Sequence, residues 1–249
     1  MTVHLVGAGP GAADLLTLRA ARLLGAAEAV VYDRLIDTEV LALIPRGAQS
    51  HAVGKAPGVG WTQEAINALL VELGHRFDVV VRLKGGDPYI FGRGHEELAA
   101  LHAAGISTSV VPGITSALAA PLSAGISVTA RGIADSVTIA TATGAGGVDV
   151  DLARFATGRG TLVVLMGVAR RANLATALVL GGLSPATPVA AVERASTERQ
   201  RVVRTTLAEL GALPLENPAV LIIGQAAASE AATAQVEHHI VGLGATAQR

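Results

Sequence analysis

Arg82-Leu83-Lys84-Gly85-Gly86-Asp87-Pro88-Tyr89-Ile90-Phe91-Gly92-Arg93-Gly94 follows three valines, Val79 to Val81, and precedes a helical pattern that begins near His95. An unbroken apolar run of this kind reads as a strand buried on both faces, as in a parallel sheet. The stretch is therefore expected to be a long strand-to-helix loop, and in an open α/β sheet such loops emerge at the carboxyl edge, where ligands bind. Gly85 and Gly86 lack a Cβ and let the backbone approach a ligand closely. Pro88 disfavours the helical region for the residue before it, so the Asp87 carboxylate is held extended and aimed. Lys84 and Arg93 bracket the loop with positive charge suited to an anionic substrate.

Working outward, the same alternation recurs on both sides. Val3 to Val6 reads as a strand running into Gly7-Ala8-Gly9-Pro10-Gly11, with Asp14 placed to cap a helix from Leu15 to Leu24. Ala29 to Tyr32 is a second strand ending at Asp33-Arg34, and a short helix capped by Asp37 stops at Pro45. His51 to Val53 leads into Gly54-Lys55, and Thr62 caps an amphipathic helix with Ile66, Leu69, Leu70 and Leu73 at helical spacing and Gly74 as its stop. After the central loop come a helix from Glu96 to about Ala103 and a fifth strand, Ser109 to Val111. Residues 1–112 are thus expected to form an α/β domain on an open, mostly parallel sheet.

Beyond Pro112 the spacing changes. A helix beginning near Ser116 is interrupted by Pro121, and candidate strands are Ser136–Thr141, Thr161–Met166, Thr187–Val192, Arg201–Thr206 and Ala219–Ile223. Thr187–Val192 and Arg201–Thr206 are too close for a crossover helix and should form an antiparallel hairpin. Residues 113–249 are therefore read as a second α/β domain on a mixed sheet, with a peripheral tail from about Ser229.

Bulk properties narrow the function. The net charge of −1 offers no basic field for nucleic acid, and 2% aromatic residues give few platforms for stacking bases. With no cysteine there is no disulfide, thiolate metal site or cysteine nucleophile. No apolar run has the length of a membrane span, so a cytoplasmic protein without membrane or nucleic-acid partners is expected. The histidines are dispersed without metal-ligand spacing, and no metal site is expected.

Two constellations carry chemistry. Gly7, Gly9 and Ala12 match a G-x-G-x-x-A fingerprint, with Asp33 at the distance of a ribose-binding carboxylate, which opens a nicotinamide-dependent oxidoreductase as one reading and a tight turn as another. Asp33 and Lys55 both close predicted strands and face one cleft, where they would exchange protons with a substrate or form a surface ion pair. Met166 reads as core by default. Glu193-Arg194-Ala195-Ser196-Thr197 lines the same cleft or is a polar turn.

Taken in order, the segments Val6–Leu18, Val30–Leu35, Val53–Lys55, Val81–Gly94, Val111–Ala117, Thr161–Gly167 and Thr187–Arg194 resemble the tetrapyrrole methylase family of S-adenosylmethionine-dependent enzymes. Tyr32-Asp33-Arg34-Leu35 is similar to the members acting on uroporphyrinogen III rather than to the corrin-ring methylases. The resemblance implies two α/β domains with a cleft between them, a homodimer, and S-adenosyl-L-methionine as methyl donor, leaving as S-adenosyl-L-homocysteine. It implies methylation of uroporphyrinogen III at C-2 and C-7 to give precorrin-2, for sirohaem or cobalamin. Carried over by position, the donor would contact Pro10, Gly85, Gly86, Asp87, Ile90, Thr115, Ser116, Met166 and Ala195. Asp33 would be the proton acceptor and Lys55 the proton donor, while Arg34, Lys84, Arg93 and Arg131 would meet the substrate's carboxylates. Other members of the fold, among them precorrin-4, diphthine and ribosomal-RNA methylases, and a non-catalytic binding protein are the remaining readings.

Overall fold

The computed structural model describes residues 1–54, 61–144, 147–148 and 150–228. Lys55 and the segment from Ser229 lie outside the described residues. Five strands, β1 (Thr2–Gly7), β2 (Ala29–Tyr32), β3 (Gln49–Ala52), β4 (Val79–Lys84) and β5 (Ser107–Val111), form an all-parallel sheet in the order β3-β2-β4-β1-β5. A second sheet contains β6 (Val137–Thr141), β7 (Thr161–Leu165), β8 (Pro188–Glu193), β9 (Arg201–Thr206) and β10 (Ala219–Ile223), in the order β6-β7-β10-β8-β9. β6 pairs parallel with β7 and the other pairs are antiparallel, including the expected β8–β9 hairpin. The molecule is thus two α/β layers, one parallel and one mixed, as expected.

Strand periodicity sorts the first core. Leu5, Val31 and Val80 pack with Ile66, Leu70 and Leu73 of α3 (Gln63–Gly74) and Leu101 of α4 (Gly94–Ala103). Alternate residues, Val6, Val30, Val81 and Leu83, pack with Ala20 and Leu24 of α1 (Leu18–Gly25) and Val40 of α2 (Thr38–Leu41) on the other face. β1 and β4 are neighbours, yet the chain leaves β1 to one face and β4 to the other. That divergence opens a crevice beyond their carboxyl ends. α5 (Ser116–Ser123) contributes Ala117 and Ala120 to the second sheet's core, and α6 (Arg171–Leu180) and α7 (Leu207–Leu210) cover the opposite face.

Four local expectations are corrected. Arg82, Leu83 and Lys84 are strand, because the β1–β4 ladder continues through Gly7 opposite Lys84. The first helix is capped by Thr17, whose hydroxyl accepts from Ala20 N–H at 3.1 Å, and not by Asp14, since residues after Gly9 must first pass over the crevice. Gly74 does not reverse the chain: it is the last, right-handed residue of α3, and a Cβ there would meet Ile106 Cδ1 at 2.8 Å. Pro121 lies within α5 instead of interrupting it, because so short a helix forgoes little by one missing N–H.

Candidate active site in the inter-domain cleft

Because all five strands of the first sheet run the same way, the residues after Gly7, Tyr32, Lys84 and Val111 share one edge. Three loops meet there, two joined by backbone hydrogen bonds and the third packed against them. Gly9 N–H donates to Gly86 O at 3.2 Å, Gly86 N–H returns a bond to Gly9 O at 2.7 Å, and Ala8 N–H donates to Lys84 O at 2.7 Å. A Cβ on Gly7 would lie 2.7 Å from Gly86 O, and one on Gly113 would overlap that same oxygen. The glycines are therefore required by the approach of three chains to each other.

This packing disposes of the oxidoreductase reading. In a dinucleotide fold the fingerprint glycines open a helix whose free N–H groups receive pyrophosphate. Here the Gly9 N–H is already bonded, α1 starts only at Leu18, and Asp33 is engaged by Arg82.

Asp87 ties two of the loops together. One carboxylate oxygen accepts from Tyr89 N–H at 2.8 Å and the other from Gly113 N–H at 3.1 Å. Pro88 aims it as expected, but at neighbouring backbone. Gly85 is exposed, with nothing within 4 Å of a Cβ built on it, while a Cβ on Gly86 would be 3.7 Å from Thr115 and Ser116 at the start of α5. Ile90 and its neighbours Tyr89 and Phe91 are exposed on the same loop.

β6, β7 and β8 also run in one direction, so the ends of β7 and β8 share an edge of the second sheet. Met166 and Ala195 follow those ends. Met166 is not core: it is 48% exposed, with φ of 55°, and its carbonyl accepts from the Thr143 hydroxyl. The two edges meet where Gly11 packs on the second domain, a Cβ there falling 2.7 Å from Thr197 Cγ2 and 3.1 Å from Ala195 O. Pro10, Gly86, Thr115, Ser116 and Ala195 are thereby brought around one opening. Every described non-glycine residue with positive φ, namely Phe91, Arg93, Met166, Arg194 and Ser196, follows the end of β4, β7 or β8. Backbone held this way concentrates at ligand sites.

Beneath the glycine layer lies a group of charges. Arg82, 2% exposed, donates from Nη2 to Asp33 Oδ1 at 2.6 Å and from Nε to Glu97 Oε1 at 3.1 Å. The same Glu97 oxygen accepts from Lys84 Nζ at 2.9 Å and Gln63 Nε2 at 3.4 Å. Glu97 is fully buried and Asp33 is one-third exposed. Lys84 is thus withdrawn from the substrate, a correction with a simple cause: Arg82 and Lys84 are two apart on β4 and point together under α4. Burial, then the adjacent Arg82 cation, hold the Lys84 ammonium below its ordinary pKa, partly offset by Glu97 and Asp33. Arg34 and Arg131 are exposed; Arg93 is exposed and forks onto Glu96 at 2.8 and 2.6 Å.

Sequence reasoning missed Arg82 and Glu97. A signal existed, since Glu97 lies one turn before the core residue Leu101 and so falls on the buried face of α4. Among the described residues no cluster of His, Asp or Glu could hold a metal, and no helix is long and apolar enough to cross a membrane.

Two α/β layers joined at a glycine-lined crevice define a class, and the comparisons agree with it. Tetrapyrrole (Corrin/Porphyrin) Methylases match residues 2–211, and the chain belongs to that family. It is 46% identical over 233 residues to uroporphyrinogen-III C-methyltransferase of Paracoccus denitrificans, covering 91% of this chain and 81% of that protein. It is 48% identical over 229 residues to siroheme synthase of Chromobacterium violaceum, covering 90% of this chain but 49% of that protein, so the chain spans about half the length of such relatives. Uroporphyrin-III C-methyl transferase from Thermus thermophilus, solved with S-adenyl homocysteine, superposes with a TM-score of 0.83 at 45% identity, covering 91% of this chain and 98% of that one.

Proposed function

We propose that this chain methylates uroporphyrinogen III at C-2 and C-7, giving precorrin-2, with S-adenosylmethionine as donor. The observation that carries the reading is one strand serving two tasks. Arg82 of β4 grips Asp33, and three residues on β4 opens into the exposed Gly85 and the Gly86 rim. A proton acceptor is thereby fixed beside a surface that admits a ligand against bare backbone.

The residues fit the donor. Gly85 is open, Thr115 and Ser116 present the start of α5, and Pro10, Ile90, Met166 and Ala195 supply apolar contact, while Asp87 keeps the two loops in register. Bound donor supplies an electrophilic methyl group on a sulfonium. That methyl group would pass to a nucleophilic ring carbon of the substrate, leaving a neutral thioether and a positive charge on the ring. Asp33 then accepts a ring proton and restores neutrality. The protein's part is alignment of two ligands and removal of that proton. Lys55 is assigned as proton donor from the resemblance. Arg34, Arg93 and Arg131 are assigned to the substrate's carboxylates, with Arg93 exchanging Glu96 for substrate.

The boundary near Pro112 suits this division, as β5 ends at Val111 and α5 packs on the second sheet. A homodimer is part of the proposal, supported by the exposed Ile114, Leu118 and Leu122, which recur every four residues along α5 and its lead-in. A cytoplasmic setting accords with the absence of cysteine. The test is anaerobic incubation with S-adenosylmethionine and uroporphyrinogen III followed by mass analysis. Two added methyl groups are expected, and folded protein that yields none refutes the assignment.

A further inference from the structure

The scheme above uses only one contact of the deepest polar feature of the molecule, the Arg82–Asp33 pair, and leaves the rest of that feature without a task. Arg82, Glu97 and Lys84 form a buried layer under Asp33, with Gln63 at its side. Burying so many charges is unfavourable unless each is paired and hydrogen-bonded. A sheet that needed only stability would be served as well by apolar side chains, as the alternate residues Val81 and Leu83 are on the other face.

We propose that Arg82 is a positioning residue, which fixes the Asp33 carboxylate for proton capture while Glu97 and Lys84 fix Arg82. The inference rests on the reading of Asp33 as proton acceptor. The geometry is specific. Arg82 Nη2 binds Oδ1 of Asp33, and Nη1 donates to Leu83 O at 3.2 Å and reaches Val31 O at 3.5 Å, so the guanidinium is tied to its own strand and to the neighbouring β2. Its Nε is held by Glu97, whose same oxygen is also held by Lys84. The fork therefore cannot swing, and it holds one oxygen of Asp33 in a fixed place. Among the described residues Arg82 is the only hydrogen-bond partner of the Asp33 carboxylate, which leaves Oδ2 to receive the proton. A planar fork suits this task where a lysine would not, because two carboxylates are bridged by one rigid cation.

Asp33 is one-third exposed, so each proton it captures has a route to water before the second methyl transfer.

A double-mutant cycle tests the assignment. Asp33→Asn is expected to lower kcat by about 10²- to 10⁴-fold. Arg82→Gln is expected to lower kcat by about 10²-fold, leaving KM for the tetrapyrrole and the affinity for S-adenosylhomocysteine within about twofold of wild type. In the Asp33→Asn background the Arg82 substitution should add little, since there is no longer a base to position. Additive losses, or equal losses of donor affinity and turnover, overturn the proposal and leave a structural ion pair. If Asp33→Asn turns over normally, the reading of Asp33 fails and the positioning role of Arg82 falls with it. Should Arg82→Gln not fold, Arg82→Lys supplies the same arm of the cycle, keeping the charge but losing the bridge. Full activity in that variant also overturns the proposal.

Discussion

The glycine layer over β1, β4 and β5 and the charged layer beneath it are adjacent along β4 yet held by opposite means. Above, Gly9 and Gly86 exchange backbone bonds while Gly7 and Gly113 pack against them, and no side chain takes part except the Asp87 carboxylate. Below, Asp33, Arg82, Glu97 and Lys84 are joined through side chains alone, apart from the two carbonyls that Arg82 reaches. The upper layer is intolerant of volume and the lower of a change in charge. Donor binding should follow the first and proton transfer the second.

The largest effect should come from the lower layer. Glu97→Leu leaves Arg82 and Lys84 without their shared carboxylate, and unpairing a buried charge costs about 3–5 kcal/mol. Denaturant titration should show that loss. If donor affinity per folded molecule falls as steeply as turnover, the separation of the layers is broken.

Gly113→Ala comes next. Its methyl group collides with the Gly86 carbonyl, and overpacking of this kind costs about 1–3 kcal/mol. Calorimetric titration with S-adenosylhomocysteine should show weakened binding, with the cost falling on the donor rim. Normal affinity would mean that the rim does not contact the donor.

Asp87→Ala is milder. It removes two bonds to backbone, each worth about 1 kcal/mol, and should weaken the homocysteine ligand by about tenfold or somewhat more. Turnover at saturating donor should be largely kept, in contrast to Lys55→Ala, for which slowed turnover with near-normal donor affinity is expected.

The smallest effect concerns a third charged group, in the second sheet. Glu193 closes β8, where Arg201 forks onto it at 2.7 Å from both Nε and Nη2 and Glu216 N–H donates to it. The Arg201 bond, followed by that backbone bond and the charges of Arg201 and Arg194, outweighs burial and holds the carboxyl below its ordinary pKa. A carboxyl depressed on folding stabilises fully above its unfolded pKa, and that share is lost as pH falls through the folded value. Melting temperature should therefore decline on acidification below the ordinary carboxylate range. Glu193→Gln should flatten that part of the curve, and an unchanged slope would place the acid-sensitive group elsewhere.

Each loop of the upper layer was legible in the sequence because its residues sit side by side in the chain, although which loops meet was not. Gly-Gly-Asp-Pro after a valine run specifies a close-packed loop whose carboxylate is aimed, whatever the rest of the fold. The ligand was not legible, since G-x-G-x-x-A suits a dinucleotide as well, and only the Gly9–Gly86 bonds show that its N–H groups are already taken. The lower layer was half hidden. Lys84 reads as a free cation beside a glycine loop until the ladder is known to run through it. Met166 reads as core until β7 ends one residue earlier, with Met166 turned outward at positive φ.

By itself the sequence determined the alternation of strands and helices, the parallel first sheet, the β8–β9 hairpin and the edge where ligands enter. These follow from local periodicity and connection length, which a chain carries in its order of residues. The tertiary structure decided which charges face the ligand and which face each other. Arg82 and Asp33 are 49 positions apart, and Lys84 and Glu97 are 13 apart on different elements. A side chain's partner depends on strand register and helix rotation, and those are set by packing of the whole sheet.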